Sequence, residues 1–146
     1  MKAEQISVFL ENKSGRLAEV MRVLGAAQVN IRALSIADTS DFGILRIIVN
    51  DKEKALDVLK ANNFTVSKTD VIAVEVPDTP GGLSKILDLL ETQKVNVEYM
   101  YAFAEPRSQR AALIFRFDDP ERAVAQLGKA GVNVFAQVDL GVEAEA

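Results

Sequence analysis

The chain has 146 residues, 49% of them apolar and 26% charged, with a formal net charge of -4, which suits one medium or two small globular domains. It has no Cys, His or Trp, which excludes disulfides, thiol nucleophiles, thiolate-bound metals and the commonest general base. Its 17 basic residues are dispersed among 21 acidic ones, without the cationic clustering that nucleic-acid binding needs. Met1-Lys2-Ala3-Glu4-Gln5 carries no apolar signal core, and the apolar runs fall far short of the roughly 20 residues that span a bilayer. The expectation is a cytoplasmic protein with neither a nucleic-acid nor a membrane partner.

In chain order, Ile6, Val8 and Leu10 alternate with Ser7 and Phe9, which predicts a strand over 5–10. After a turn at Gly15, Leu17, Val20, Met21 and Leu24 recur at helical spacing as one apolar stripe. Segments 30–37 and 43–49 follow as a strand pair around the polar Asp38-Thr39-Ser40-Asp41. A second helix begins at Asp51, a good cap, with Ala55, Leu56 and Leu59 facing inward, and 64–69 closes the series as a strand.

The series then repeats. Gly15 aligns with Gly81, Leu17 with Leu83, Leu24 with Leu90, Asn30 with Asn96 and Ile31 with Val97 at an offset of 66. Past the next loop the offset is 68, pairing Asp51 with Asp119 and Ala55 with Ala123. The second repeat thus predicts a strand over 71–76, a helix through Leu83, Ile86, Leu87 and Leu90, and a strand pair over 96–103 and 110–117 around Glu105-Pro106-Arg107-Ser108. A helix from Asp119 follows, with Ala123, Val124 and Leu127 inward, then a strand over 132–138. Thr79-Pro80, and more weakly Ser14, read as starts of the first helix of each repeat. The order βαββαβ, twice, is α+β and fits two ferredoxin-like domains with antiparallel sheets and helices on one face, over 1–69 and 70–146. Strands such as Ile44-Leu45 with Ile47-Ile48-Val49 are apolar on both faces, so the helix-free face is expected to be covered. Residues 141–146 read as a frayed tail.

The most specific feature is the repeated turn, Glu11-Asn12-Lys13-Ser14-Gly15-Arg16-Leu17 and Pro77-Asp78-Thr79-Pro80-Gly81-Gly82-Leu83. Glycine allows close backbone approach or positive φ, and the helix start behind it offers unsatisfied N–H groups suited to a carboxylate. Asn12 or Asp78 alongside could accept from an ammonium group, a pairing that would select an α-amino acid. Strand-to-helix turns also favour these residue types for conformational reasons alone.

Asp78-Thr79-Pro80-Gly81-Gly82-Leu83 and Val95-Asn96-Val97 resemble the D-x-P-G-x-L and G-[IV]-N-[IV] signatures of ACT domains, the amino-acid-sensing modules of biosynthetic enzymes. The first repeat is similar to the ACT domain of the acetolactate synthase regulatory subunit, and the whole chain resembles stand-alone proteins made of two ACT domains. The resemblance implies ferredoxin-like domains that pair through first helices and second strands and bind amino acids at that interface. Carried over, the ligand-binding candidates are Asn12, Ser14, Gly15, Arg16, Leu17 and Asn30, and Asp78, Pro80, Gly81, Gly82, Leu83 and Asn96. Asn12 and Ser14 replace the acid and the proline of the signature, so the two sites are not equivalent. The implied partners are an amino acid or similar small carboxylate, a second chain in a homodimer, and a biosynthetic enzyme.

Competing chemistry is weaker. Tyr99, Tyr101 and Phe103 share one strand face and Phe115 and Phe117 another, but the glycines and basic residues of an RNA-recognition motif are missing, so core or interface is expected. Arg46 and Arg116 read as charges on wet strand faces. Asp118-Asp119 and Asp38/Asp41 lack a third ligand at useful spacing for Mg2+. Nothing sets a nucleophile beside a base. The reading is a regulatory, non-enzymatic module without cofactor or metal. The alternative is an interaction subunit of a biosynthetic enzyme that binds no metabolite.

Overall fold

Apolar alternation in β1 (Ala3–Glu11) turns Ile6, Val8 and Leu10 to one face, where all three are buried. The computed structural model describes residues 3–38, 40–103 and 110–135. After β1 come α1 (Arg16–Ala26), β2 (Ile31–Asp38), β3 (Phe42–Val49), α2 (Lys52–Ala61) and β4 (Thr65–Pro77). The second series is α3 (Gly82–Thr92), β5 (Val97–Phe103), β6 (Arg110–Phe117) and α4 (Pro120–Lys129). Two units divide between Thr69 and Asp70, inside β4. Instead of the two strands expected over 64–69 and 71–76, one strand closes the first repeat and opens the second, because no Gly, Pro or Asn falls between Thr65 and Val76 to turn the chain.

In the first unit β3 pairs antiparallel with β1 and β2, setting Val8 and Ile36 on either side of Leu45, in the order β2-β3-β1-β4. In the second, β6 pairs antiparallel with β4 and β5, with Ile72 and Met100 flanking Phe115. Asn133 and Phe135 also bond to β4: Glu75 N donates to Asn133 O at 2.9 Å and Phe135 N to Ala73 O at 2.8 Å. The remainder of the strand expected over 132–138, loop residues 105–108 and the tail 141–146 lie outside the described residues. Each unit is a ferredoxin-like βαββαβ fold.

The helix stripes close separate cores. Val20 and Leu24 of α1 join Leu56 and Leu59 of α2 against Ile6, Val8, Leu45 and Ile47. Ile86 and Leu90 of α3 join Ala123 and Leu127 of α4 against Ile72, Val74, Phe115 and Phe117. The rings of Phe115 and Phe117 stack inside this core, centroids 5.1 Å apart, which removes them from any base-stacking platform. Leu17 departs from the expected stripe and stays 39% exposed. All four helices stop alike: Val29, Phe64, Val95 and Val132 donate backbone N–H to the carbonyls of Leu24, Leu59, Leu90 and Leu127 at 2.9–3.0 Å. The residue before each acceptor-closing donor is left-handed, at Gln28, Asn63, Lys94 and Gly131, which is the Schellman stop.

Helix starts differ by position in the repeat. Asp51 and Asp119 cap α2 and α4 as expected, accepting from Lys54 N and Arg122 N at 3.1 Å. The expected caps Ser14 and Thr79-Pro80 are corrected: α1 and α3 start after Gly15 and Gly81, with no side-chain cap. Pro80 and Gly81 are spent on a turn instead. Gly82 N donates to Thr79 O at 3.0 Å, and Gly81 holds φ 81° and ψ -2°, the third-residue geometry of a type II turn with proline second. Gly15, at φ 90°, plays the same part between Lys13 O and Arg16 N, at the longer distance of 3.4 Å.

Lys52 opens α2, where the helix dipole disfavours a cation, and its side chain is only 7% exposed. Glu4 compensates at 2.6 Å, with Lys68 at 3.6 Å from the same carboxylate. The hydrogen bond from Lys52 is the main reason that the Glu4 carboxyl titrates below its ordinary 4.5. A carboxyl depressed by folding stabilises the fold above its unfolded-state pKa, and that stability is lost as pH falls through the folded value. Glu4→Gln is expected to cost about 1–3 kcal/mol at pH 7 and to flatten the acid limb, read by urea melts from pH 7 to pH 3.

The glycine turns predict a second stability result. Gly81→Ala places a side chain at φ 81° with open space around it, a cost of about 1–2 kcal/mol from backbone conformation alone. Gly82→Ala drives its Cβ against Pro77 O and is expected to lose at least about 1–3 kcal/mol by overpacking. Equilibrium unfolding of both variants checks the order; a milder loss for Gly82→Ala would contradict the close approach.

Candidate functional site

Both turns present exposed backbone. A Cβ built on Gly15 or Gly81 meets nothing within 4 Å. With no side-chain cap, the amides that follow Arg16 N and Gly82 N, which are themselves closed into the turns, keep the orphan donors and partial positive charge of a helix start. Ser14, Asp78 and Pro80 are exposed beside them. Asn12 is tied to the β2–β3 hairpin, donating from its backbone to Asp41 O at 2.9 Å and from Nδ2 to Ser40 O at 3.4 Å. Leu83 is half-buried against the second core, whereas Leu17 points outward.

Asn30 and Asn96 are placed elsewhere. Each follows the far end of an 11-residue helix, about 16 Å from the glycine turn of its own repeat. Their backbones are engaged in matching exchanges: Asn30 N donates to Asn50 Oδ1 at 2.8 Å and Asn96 N to Asp118 Oδ1 at 3.0 Å. Asn50 N and Asp118 N donate in return to Asn30 O and Asn96 O. Asp118 and Asp119 therefore both hold backbone amides. Within one repeat, the fold brings together the turn residues and leaves the asparagine apart.

Arg16 and Gly82 occupy the same position and differ most. The Arg16 guanidinium lies 5.0 Å from the centroid of Phe64 and bonds Glu19 Oε2 at 2.7 Å. Its Nε is buried with no acceptor among the described residues. Gly82 instead sits against the backbone of Pro77, where a Cβ would come 2.3 Å from the carbonyl oxygen. Beside Gly82, α3 and the segment after α4 enclose a cleft of about 380 Å³. Its polar groups are Glu75, Lys85 and Asn133, with Asn133 Nδ2 donating to Glu75 Oε2 at 2.9 Å.

Glu75, Lys85, Val132 and Asn133 escape a reading along the chain, since the segments that form the cleft lie about 50 residues apart and meet through the β4 pairing and the packing of α3 on α4. One signal was available: at an offset of 66 the repeat alignment sets Arg16 against Gly82 and Glu19 against Lys85. Among the described residues no helix is long and apolar enough to cross a membrane, and no three acidic side chains gather as a metal cage.

Known proteins share this arrangement. A crystal structure of a protein from Bacteroides thetaiotaomicron matches with TM-score 0.91 at 44% identity, covering 97% of this chain and 96% of that one. The ligand-free regulatory subunit of aspartate kinase from Thermus thermophilus shares the fold, with TM-score 0.60 at 18% identity, over 87% of this chain and 91% of that one. The acetolactate synthase small subunit of Buchnera aphidicola is 27% identical over 105 residues, which are 61% of this chain and 66% of that subunit, just under two thirds of its length. A family model for the ACT domain pair matches residues 1–141. On that match, carried by two ferredoxin-like units each opened by a glycine turn, the chain belongs to the ACT domain pair family.

Proposed function

We propose that the chain is a cytoplasmic regulatory protein, without catalytic activity of its own, that binds an amino acid or similar small carboxylate and signals to a biosynthetic enzyme. The observation that carries this reading is the pair of open, uncapped helix starts at Gly15 and Gly81, where a carboxylate would find both amides and room. The similarity to a synthase small subunit and the shared fold of a kinase regulatory subunit point the same way.

Ligand binding at paired domains fits the placement of the asparagines. A molecule held at a glycine turn lies a helix length from Asn30 or Asn96 of the same repeat, so either asparagine would join from a neighbouring domain. Leu17, Leu34 and Ile36 support such pairing, as large apolar side chains 39%, 53% and 53% exposed on α1 and β2. A homodimer would cover them. Regulation then follows if the ligand favours one arrangement of domains over another; tight binding to both would shift nothing.

A thermal-shift screen of the twenty amino acids tests the reading. A specific ligand at about a hundredfold excess over Kd is expected to raise Tm by about 5 °C or more. A flat response, repeated with the purified partner enzyme, would instead favour an interaction subunit that binds no metabolite.

A further inference from the structure

A cleft of about 240 Å³ lies beside the first glycine turn, between the end of β1 and the start of β4. Side chains rather than open amides make its walls. Three of them are aromatic: Phe9 and Phe42, 44% and 61% exposed, and the buried Phe64. Phe9 and Phe42 also border a second space of about 200 Å³, with Ala37 and Ile44, so the two rings stand in a wider apolar surface.

The cation of the cleft is Arg16. Its Nη1 donates to Glu19 at 2.7 Å and its guanidinium lies over Phe64, yet Nε is buried without an acceptor among the described residues. A buried donor left unmet is costly. The guanidinium edge that Nε shares with Nη2 has the shape to hold a carboxylate through two parallel hydrogen bonds. With 25% of the Arg16 side chain exposed, a molecule in the cleft can reach it. The one carboxylate on the wall, Glu11, is held by Lys13 at 3.1 Å. An ammonium group entering here would meet the like charge of Arg16 and an acid already paired.

The fold does not require this set of side chains. The second repeat forms the same strand pairing and helix stop with Glu75, Arg110, Val132 and Gly82 in the places of Phe9, Phe42, Phe64 and Arg16.

We propose that the cleft of the first repeat takes a small aromatic carboxylate that carries no amino group, with its ring against Phe9 and Phe42 and its carboxylate on Arg16. The volume falls below that of pockets for drug-sized ligands, which limits the guest to one ring with a short acidic arm. This rests on the reading that the chain binds a small carboxylate, and adds the chemical class, the place and the repeat.

Calorimetric titration of the full chain with 3-phenylpropanoate tests it, against L-phenylalanine, which adds only the amino group, and 3-phenylpropanamide, which removes the charge. One site per chain is expected, with the acid bound about tenfold or more tighter than either relative. Arg16→Gly, which installs the second repeat's residue, and Phe42→Ala are each expected to weaken binding of the acid about fivefold or more. Phe42 is exposed, so its variant decides the matter even if Arg16→Gly fails to fold. Unchanged affinity in either folded variant would overturn this site. L-phenylalanine or the amide bound as tightly as the acid would overturn the ligand class. No binding of the acid by a chain whose Tm an amino acid raises would overturn this proposal and leave the sensing reading standing, and no binding of any of these molecules or of the twenty amino acids would overturn both.

Discussion

A left-handed glycine between first strand and first helix is the constraint on which each repeat depends. Gly15 and Gly81 hold φ 90° and 81°, a conformation that costs an L side chain about 1–2 kcal/mol. The turn closes on itself through a backbone hydrogen bond and needs no side chain to start the helix. From there Val20 and Leu24, or Ile86 and Leu90, fall onto the sheet. At the other end Leu24 and Leu90 serve twice, as core residues and as carbonyl acceptors for Val29 and Val95. Start, stripe and stop thus fix the helix as one piece, and the exposed amides at its start are a by-product of the same geometry.

Duplication separates what folding requires from what it leaves open. The leucines at the helix stops and the aspartate caps recur in both repeats. Arg16 and Gly82, Phe64 and Val132, Glu19 and Lys85 do not match, although the backbone around them does.

Much of this was legible in the linear pattern. Period-two alternation found β1, and helical spacing found the stripes of α1 and α3. Asp51 and Asp119 announced α2 and α4 because a short acid before an apolar run has few better uses than capping. Thr79-Pro80 misled for a physical reason: proline suits the first turn of a helix and the second place of a type II turn equally, and the glycine after it decides in favour of the turn. The break expected near Asp70 did not occur, since neither Gly nor Pro stands there to turn the chain and Thr65, Val66, Val71 and Ile72 favour the strand on either side. The asparagines are ligand candidates only through the family resemblance. Their backbone exchanges with Asn50 and Asp118 join segments about 20 residues apart, which periodicity does not reach.

The contact between Gly82 and the Pro77 carbonyl makes the divergence of the two halves directional. Trimming Arg16 to glycine removes atoms and asks nothing of the backbone around it. The reverse exchange at Gly82 must first push a strand terminus aside. Having drawn its helix so near the strand, the second half holds an opening that later substitutions can reshape from the walls but not from the floor.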